Sequence, residues 1–220
     1  MAKQWIKDQV RRNEYQDFIG RSLHWILDNR QQALIGFGAA AGSILLVVGL
    51  LYRYNEGQKT AWERLSVAQG YAYSGQTDAS LKLLKELTSD YGGSKAAGFG
   101  LLFAGDIMYR QGSYKEAVDY YSKVIERENP KAALPIALAD TAIAQEAAGQ
   151  FAQAAAAAQR FLDTYSDHFL APQVHASLAR CLQAQGQSDA AKAALQKISL
   201  QYPDTPWSNW AQQKLNPKTP

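Results

Sequence analysis

Gly112-Ser-Tyr114-Lys-Glu-Ala117-Val-Asp-Tyr-Tyr121 is the stretch on which the fold turns: a helix-breaking glycine, an aromatic two residues on, an alanine five on and an aromatic nine on. Moving outward in steps of 37 residues, the same glycine recurs at Gly149 and Gly186 and, one step back, at Gly75. Five residues after each glycine stands a small residue, Ser80, Ala117, Ala154 and Ala191. Nine after it stands a packing position, Leu84, Tyr121, Ala158 and Leu195, and seven before it another tiny side chain, Ala68, Gly105, Ala142 and Ala179. Small residues at the same two places of every unit are what a repeated pair of closely crossing helices needs, because a larger side chain there would push the backbones apart. The pattern predicts an all-α stack of about four helical hairpins, an architecture that buries a continuous core between neighbouring units and presents an extended binding surface.

The register resembles that of the tetratricopeptide repeat. Gly112, Tyr114, Ala117 and Tyr121 match that family's second-helix signature; Gly149-Gln-Phe151-Ala-Gln-Ala154 keeps the first three landmarks, and Gly186 with Ala191, then Gly75 with Ser80, keep fewer. The unit of 37 residues exceeds the family's 34 by roughly one helical turn, which points to a divergent, tetratricopeptide-like subgroup. The closing segment Tyr202-Pro-Asp-Thr-Pro206-Trp-Ser-Asn-Trp210 predicts a short terminal helix that covers the last hairpin.

Composition agrees with a helical core: 47% of the residues are hydrophobic and 20% charged. A net charge of +3, dispersed along the chain, argues against a nucleic-acid partner. The single cysteine, Cys181, excludes an intrachain disulfide and falls among Leu178 and Leu182, as a buried structural thiol does more often than a nucleophile. His168 and His175 share a helix face but lie about 10.5 Å apart along its axis, too far to ligate one metal. No phosphate loop, nucleophile elbow or HExxH pattern is present. The reading is a binding module with no catalytic, cofactor or metal residues, rather than an enzyme.

Ahead of the repeats, Ala33–Tyr52 runs for twenty residues without a charge, about 30 Å as a helix, the thickness of a bilayer's hydrocarbon. Three readings compete: a transmembrane helix, a buried core helix and a cleaved signal. Tyr52 and Tyr54 beside Arg53 form an interfacial anchor, and 32 residues precede the run without a small-x-small cleavage site after it, so the transmembrane reading is preferred. Gly38-Ala-Ala-Ala-Gly42, with Gly49 on the same face, is a helix-packing motif that would admit a second membrane helix. Trp5, Ile6, Val10, Tyr15, Phe18, Ile19, Leu23 and Ile26 recur at helical spacing and predict one or two amphipathic helices in the tail, with a partly ordered tail as the alternative. The expected organisation is a tail over 1–32, a membrane helix over 33–54, a repeat domain over 55–216 and a disordered end over 217–220. The tail carries Lys3, Lys7, Arg11, Arg12, Arg21 and Arg30 against Arg53, Lys59 and Arg64 just beyond the span. That bias favours an N-terminus inside, with the repeats outside the cytoplasm and, in a Gram-negative source, periplasmic.

In tetratricopeptide arrays the first helix of each unit lines the groove. Carrying that geometry over points to Trp62, Leu65, Gln69 and Tyr73 in the first unit and to Phe99, Leu102, Asp106, Tyr109 and Arg110 in the second. The third unit offers Ile136, Ile143 and Glu146, and the fourth Gln173, Arg180 and Gln183. A core role competes with a binding role at Trp62, Leu65, Phe99 and Leu102. The groove is expected to hold a polypeptide or a partner's helix, aromatic contacts dominating.

The order of parts (short tail, single span, the Gln58-Lys-Thr-Ala-Trp62 entry helix, widened repeats, the Trp207/Trp210 helix) resembles bacterial membrane-anchored tetratricopeptide-like proteins of the ancillary Sec translocon subunit family, whose domain type is shared with a cell-division coordinator. The resemblance implies a single-pass inner-membrane adaptor that links the translocon or exported polypeptides to periplasmic chaperones, or else a scaffold for envelope or division machinery.

Overall fold

The computed structural model describes residues 17–216; Trp5, Ile6, Val10, Tyr15 and the predicted disordered end fall outside them. Every regular element among the described residues is helical. Residues 17–28 are helical (α1), followed by α2 (Arg30–Tyr73), α3 (Thr77–Asp90), α4 (Lys95–Arg110) and α5 (Tyr114–Arg127). A short 3-10 turn at Lys131–Ala133 leads to α6 (Leu134–Ala147), then α7 (Phe151–Thr164), α8 (Ala171–Ala184), α9 (Ser188–Gln201) and α10 (Pro206–Leu215). The described residues divide into two compact units, one up to Asn55 and one from Glu56.

In the first unit, no residue of the apolar window is buried, so the core-helix alternative finds no packing partner there. A Cβ placed on Gly38, Gly42 or Gly49 would meet nothing within 4 Å. α2 carries both the apolar run and the entry helix Gln58–Trp62.

The second unit repeats one local device four times. Gly75, Gly112, Gly149 and Gly186 all adopt left-handed backbone, φ between +73° and +80°, which a residue with a Cβ reaches only at a cost. Each glycine lets the next N–H turn back to a carbonyl five residues earlier: Gln76 to Tyr71, Ser113 to Met108, Gln150 to Gln145 and Gln187 to Leu182, at 2.8–2.9 Å. This satisfies the orphan carbonyls of the first helix and reverses the chain within two residues. Between units the starts differ, with Ser94 and Thr205 accepting hydrogen bonds from Ala97 and Ser208 as side-chain caps and prolines opening α6, α8 and α10.

The small residues predicted from the period are buried in all four units: Ala68, Gly105, Ala142 and Ala179 before the turn, Ser80, Ala117, Ala154 and Ala191 after it. Leu84, Tyr121, Ala158 and Leu195 are buried as well. One further column, twelve residues after each glycine, escapes the sequence reading; Leu87, Val124, Phe161 and Ile198 are all completely buried. Its side chains vary in size from valine to phenylalanine, so the column shows no periodicity of residue type. Each contributes on the order of 1.5–3 kcal/mol of burial free energy. Cys181 stands in such a column too, equivalent to Ile107 and Ala144, five residues before the turn glycine, and all three are buried. At the end of the array α10 lays Trp207, Trp210 and Ala211 over Ala176, Ala179, Ala194 and Ile198.

Because Ala117 and Ala154 are completely buried, Ala117→Leu or Ala154→Leu is expected to destabilise the repeat unit by about 1–3 kcal/mol, against less than about 0.5 kcal/mol for Lys115→Ala on the exposed side. Chemical denaturation of the three proteins checks this. Equal midpoints for Ala154→Leu and the parent would contradict the register.

Candidate functional site

The first helices α4, α6 and α8 share a face that is only partly buried. At the N-terminal end of the repeat unit this face is aromatic. Trp62, 44% exposed, stacks on half-buried Phe99 with ring centroids 5.6 Å apart, and Tyr73, 76% exposed, meets Phe103 at 6.2 Å. Gln69 is half-buried beside them. Tyr109 follows, stacked on Tyr114 at 5.3 Å.

Leu65 and Leu102 require a correction. They are 3% and 8% exposed and belong to the core, as do Ala139 and Ala176 at the equivalent places of the next units. These four residues precede the turn glycines by ten. The partly exposed face instead includes Phe103 and Asp140, nine before them, whereas Ser177 at the same place of the last unit is completely buried. At 100° per residue, one position is enough to turn a side chain from the groove into the helix–helix contact, and a helical repeat permits steps of either three or four. Ile136 is half-buried against the core formed by α4, α5 and α6.

Asp106, Tyr109, Arg110 and Ile143 come together, with Tyr121 and Asp140, around a cleft of about 170 Å³ between α4, α5 and α6. The Tyr121 hydroxyl donates to Asp106 Oδ1 at 2.9 Å. Burial pushes the Asp106 carboxyl up, opposed by that hydrogen bond and by Arg110. Asp140 is pushed up to about 7, first by burial and then by the charge of Asp106. The Tyr109 and Tyr121 hydroxyls are raised for the same first reason, loss of water. Above about pH 7, where Asp140 is ionised, two carboxylates held out of water and offset by one guanidinium make this cleft electronegative.

Further along the face Glu146 accepts from both the Nε and the Nη2 of Arg180, the latter at 2.8 Å, and from the Ser177 hydroxyl, which ties α6 to α8. The Arg180 guanidinium also lies over the Trp210 ring, 6.0 Å from its centroid. Beyond it Arg180, Gln183, Trp210 and Lys214, over a floor of Ala179, Ala184, Ala191 and Leu195, surround a second cleft of about 520 Å³. Trp210 and Lys214 thus join Arg180 and Gln183, which the sequence places on this face, and α10 does more than cover the core. Asp140 and Phe103 could have been found from the sequence only by choosing the correct three- or four-residue step, and Tyr121, legible as a packing position, enters the cleft from α5.

No group of three or more histidine, cysteine or acidic residues able to hold a metal occurs among the described residues. His168 and His175 lie away from this face, His175 buried against Tyr202. The Cys181 thiol, buried, is pushed up to about 11, so it is not a thiolate at neutral pH.

Helical hairpins that repeat with one register, one turn and one packing scheme define a helical-hairpin solenoid. Models of the tetratricopeptide repeat match residues 101–131 and 145–213, and the fold is a tetratricopeptide-like helical solenoid. No curated protein matches the sequence. Among solved structures it is similar to MamA of RS-1, a double mutant, with 17% identity over 71% of this chain and 81% of the other and a TM-score of 0.58. It is also similar to near-identical tetratricopeptide-like repeats ascribed to a kinesin light chain of Podospora anserina, with 19% identity over 70% and 83% and a TM-score of 0.55. A third is YrrB, described as a tetratricopeptide repeat protein with an unusual peptide-binding site, with 15% identity over 75% and 79% and a TM-score of 0.55. At these identities the likeness concerns the fold.

Proposed function

We propose that this chain is a membrane-tethered adaptor whose repeat unit binds an extended polypeptide on its first-helix face. The observation that carries the reading is that face itself. Trp62, Tyr73 and Tyr109 leave aromatic surface open beside two polar clefts, a combination typical of polypeptide recognition and without use in a face that is only structural. The peptide-binding site for which YrrB is described lends support by analogy. The tether is the uncharged run Ala33–Tyr52, long enough to span a bilayer and exposed from Leu34 onward. A membrane tether raises the local concentration of the groove at the surface, so weak contacts suffice. The excess of basic residues before the span favours an inner-membrane topology with the repeats in the periplasm, and the order of parts favours exported polypeptides, the Sec translocon and periplasmic chaperones as its surroundings.

Three experiments test this. Alkaline phosphatase fused after Gln58 is expected to be active and a cytoplasm-dependent fluorescent protein fused there to be dark; the reverse pair would move the repeats into the cytosol. A photocrosslinker at Tyr109 in cells is expected to capture translocon subunits, chaperones or exported chains, identified by mass spectrometry. Division or envelope proteins in their place would favour the scaffold reading. Tyr73→Ala and Tyr109→Ala should each weaken binding by about 1–2 kcal/mol while the fold survives, since both rings keep exposed surface. A loss of several kcal/mol of stability would remove them from the binding surface.

A further inference from the structure

The two clefts on the first-helix face carry opposite charge. In the cleft between α4 and α6, Asp106 and Asp140 face a single cation, Arg110, which leaves one carboxylate without a counter-ion in a pocket walled by the Tyr109 and Tyr121 rings. An uncompensated charge in such a place costs free energy in the empty protein, and a cation entering the cleft recovers it. The aromatic walls add a second source of attraction for the methylene stem and the charged head of a lysine or arginine side chain. In the cleft between α8 and α10 the balance reverses. Glu146 already satisfies Arg180, so the cation left facing the cleft is Lys214, beside Trp210 and over alanine. That combination favours a carboxylate whose neighbouring atoms lie on the indole.

The clefts sit two first helices apart. Packed helix axes are about 10 Å apart, so the separation is about 20 Å, and an extended chain at 3.3–3.6 Å per residue covers that in about six residues. Resting on the reading of this face as a polypeptide groove, we propose that it selects its partner by a charge pattern: a lysine or arginine held between Asp106 and Asp140, and, about six residues away in an extended segment, a glutamate or aspartate at Lys214. Opposed charges at the two ends also set the direction in which the segment lies, because the reversed strand would place like charges together at both ends.

The test uses the full chain in detergent micelles and fluorescein-labelled peptides of about twelve residues on a serine, glutamine and phenylalanine background. One peptide carries Lys and then Glu about six residues apart, a second carries them in the reverse order, a third places them two apart, and a fourth has Gln at both positions. Fluorescence anisotropy at physiological salt and about pH 8, where Asp140 is ionised, is expected to show one of the two long-spaced orders binding about tenfold tighter than the neutral peptide. Asp106→Asn with Asp140→Asn, and separately Lys214→Glu, should each remove most of that tenfold advantage over the neutral peptide. Circular dichroism confirms that both variants are folded. Equal binding of all four peptides, equal binding at the short spacing, or charge preferences that survive both variants would overturn the charge pattern while leaving the polypeptide groove in place. Binding of none of them would overturn the groove reading together with the pattern.

Discussion

Gly105→Ala is expected to lower the stability of the repeat unit by about 2–3 kcal/mol, whereas the same substitution at Gly70 is expected to raise it by about 0.5–1 kcal/mol. Both glycines lie inside helices, where alanine is intrinsically the better residue, so propensity alone gives the two changes the same sign. Packing separates them. A Cβ on Gly70 would meet nothing within 4 Å, but one on Gly105 would lie 2.7 Å from Cδ1 and 2.9 Å from Cζ of the Tyr121 ring. That ring has no room to retreat, because it is among the largest fully buried side chains and its hydroxyl is held by Asp106. Gly105→Leu should cost more than about 3 kcal/mol, since no rotamer avoids the ring. Urea denaturation of the full chain in micelles, followed by far-ultraviolet circular dichroism, measures all three. A Gly105→Ala protein as stable as the parent would mean that α4 and α5 do not cross as closely as described.

The second large effect concerns Asp140. Its carboxyl titrates at about 7 in the folded protein against an ordinary value of 3.8, because burial and the neighbouring Asp106 both disfavour the charged form. The folded state therefore holds this proton more tightly than the unfolded chain does. Between about pH 4 and about pH 7 unfolding releases a proton, and this residue's contribution to stability falls as the pH rises, with the full penalty present above about pH 7. A shift of about three units corresponds to about 4 kcal/mol at most, and partial access to water reduces it to about 2–3 kcal/mol. Asp140→Asn is accordingly expected to be more stable than the parent by about that amount near pH 8 and equal to it near pH 4. Denaturation midpoints at the two pH values decide the matter, and a variant less stable than the parent near pH 8 would show that the carboxylate is compensated after all.

Much of the architecture is written in local sequence. The four turn glycines need left-handed backbone for a reason that operates within two residues, and the small residues flanking them keep their spacing because every hairpin crosses in the same way. The uncharged run from Ala33 to Tyr52 is likewise legible without knowing what surrounds it, since bilayer thickness and helical rise are fixed quantities. Aromatic residues of the first helices, Trp62, Tyr73 and Tyr109 among them, could be named from the register alone, and so could Asp106, Ile143, Glu146 and Arg180.

Tertiary structure decided the rest through small rotations and long separations. Whether position ten or nine before the glycine faces outward is a matter of one residue, or 100° of helix, and only the packing of α3, α5 and α7 against the first helices sends Leu65 and Leu102 inward while Asp140 stays in the cleft. The column of Leu87, Val124, Phe161 and Ile198 is invisible as a pattern because each neighbour pair fills its space with a side chain of a different size. The pairing of Glu146 with Arg180 across 34 residues, and the arrival of Trp210 and Lys214 beside it, depend on how α8 stacks on α6 and how α10 closes the array. No local rule specifies these contacts, since electrostatic partners are chosen by distance in space, and it is that choice which leaves one cleft short of a cation and the other short of an anion.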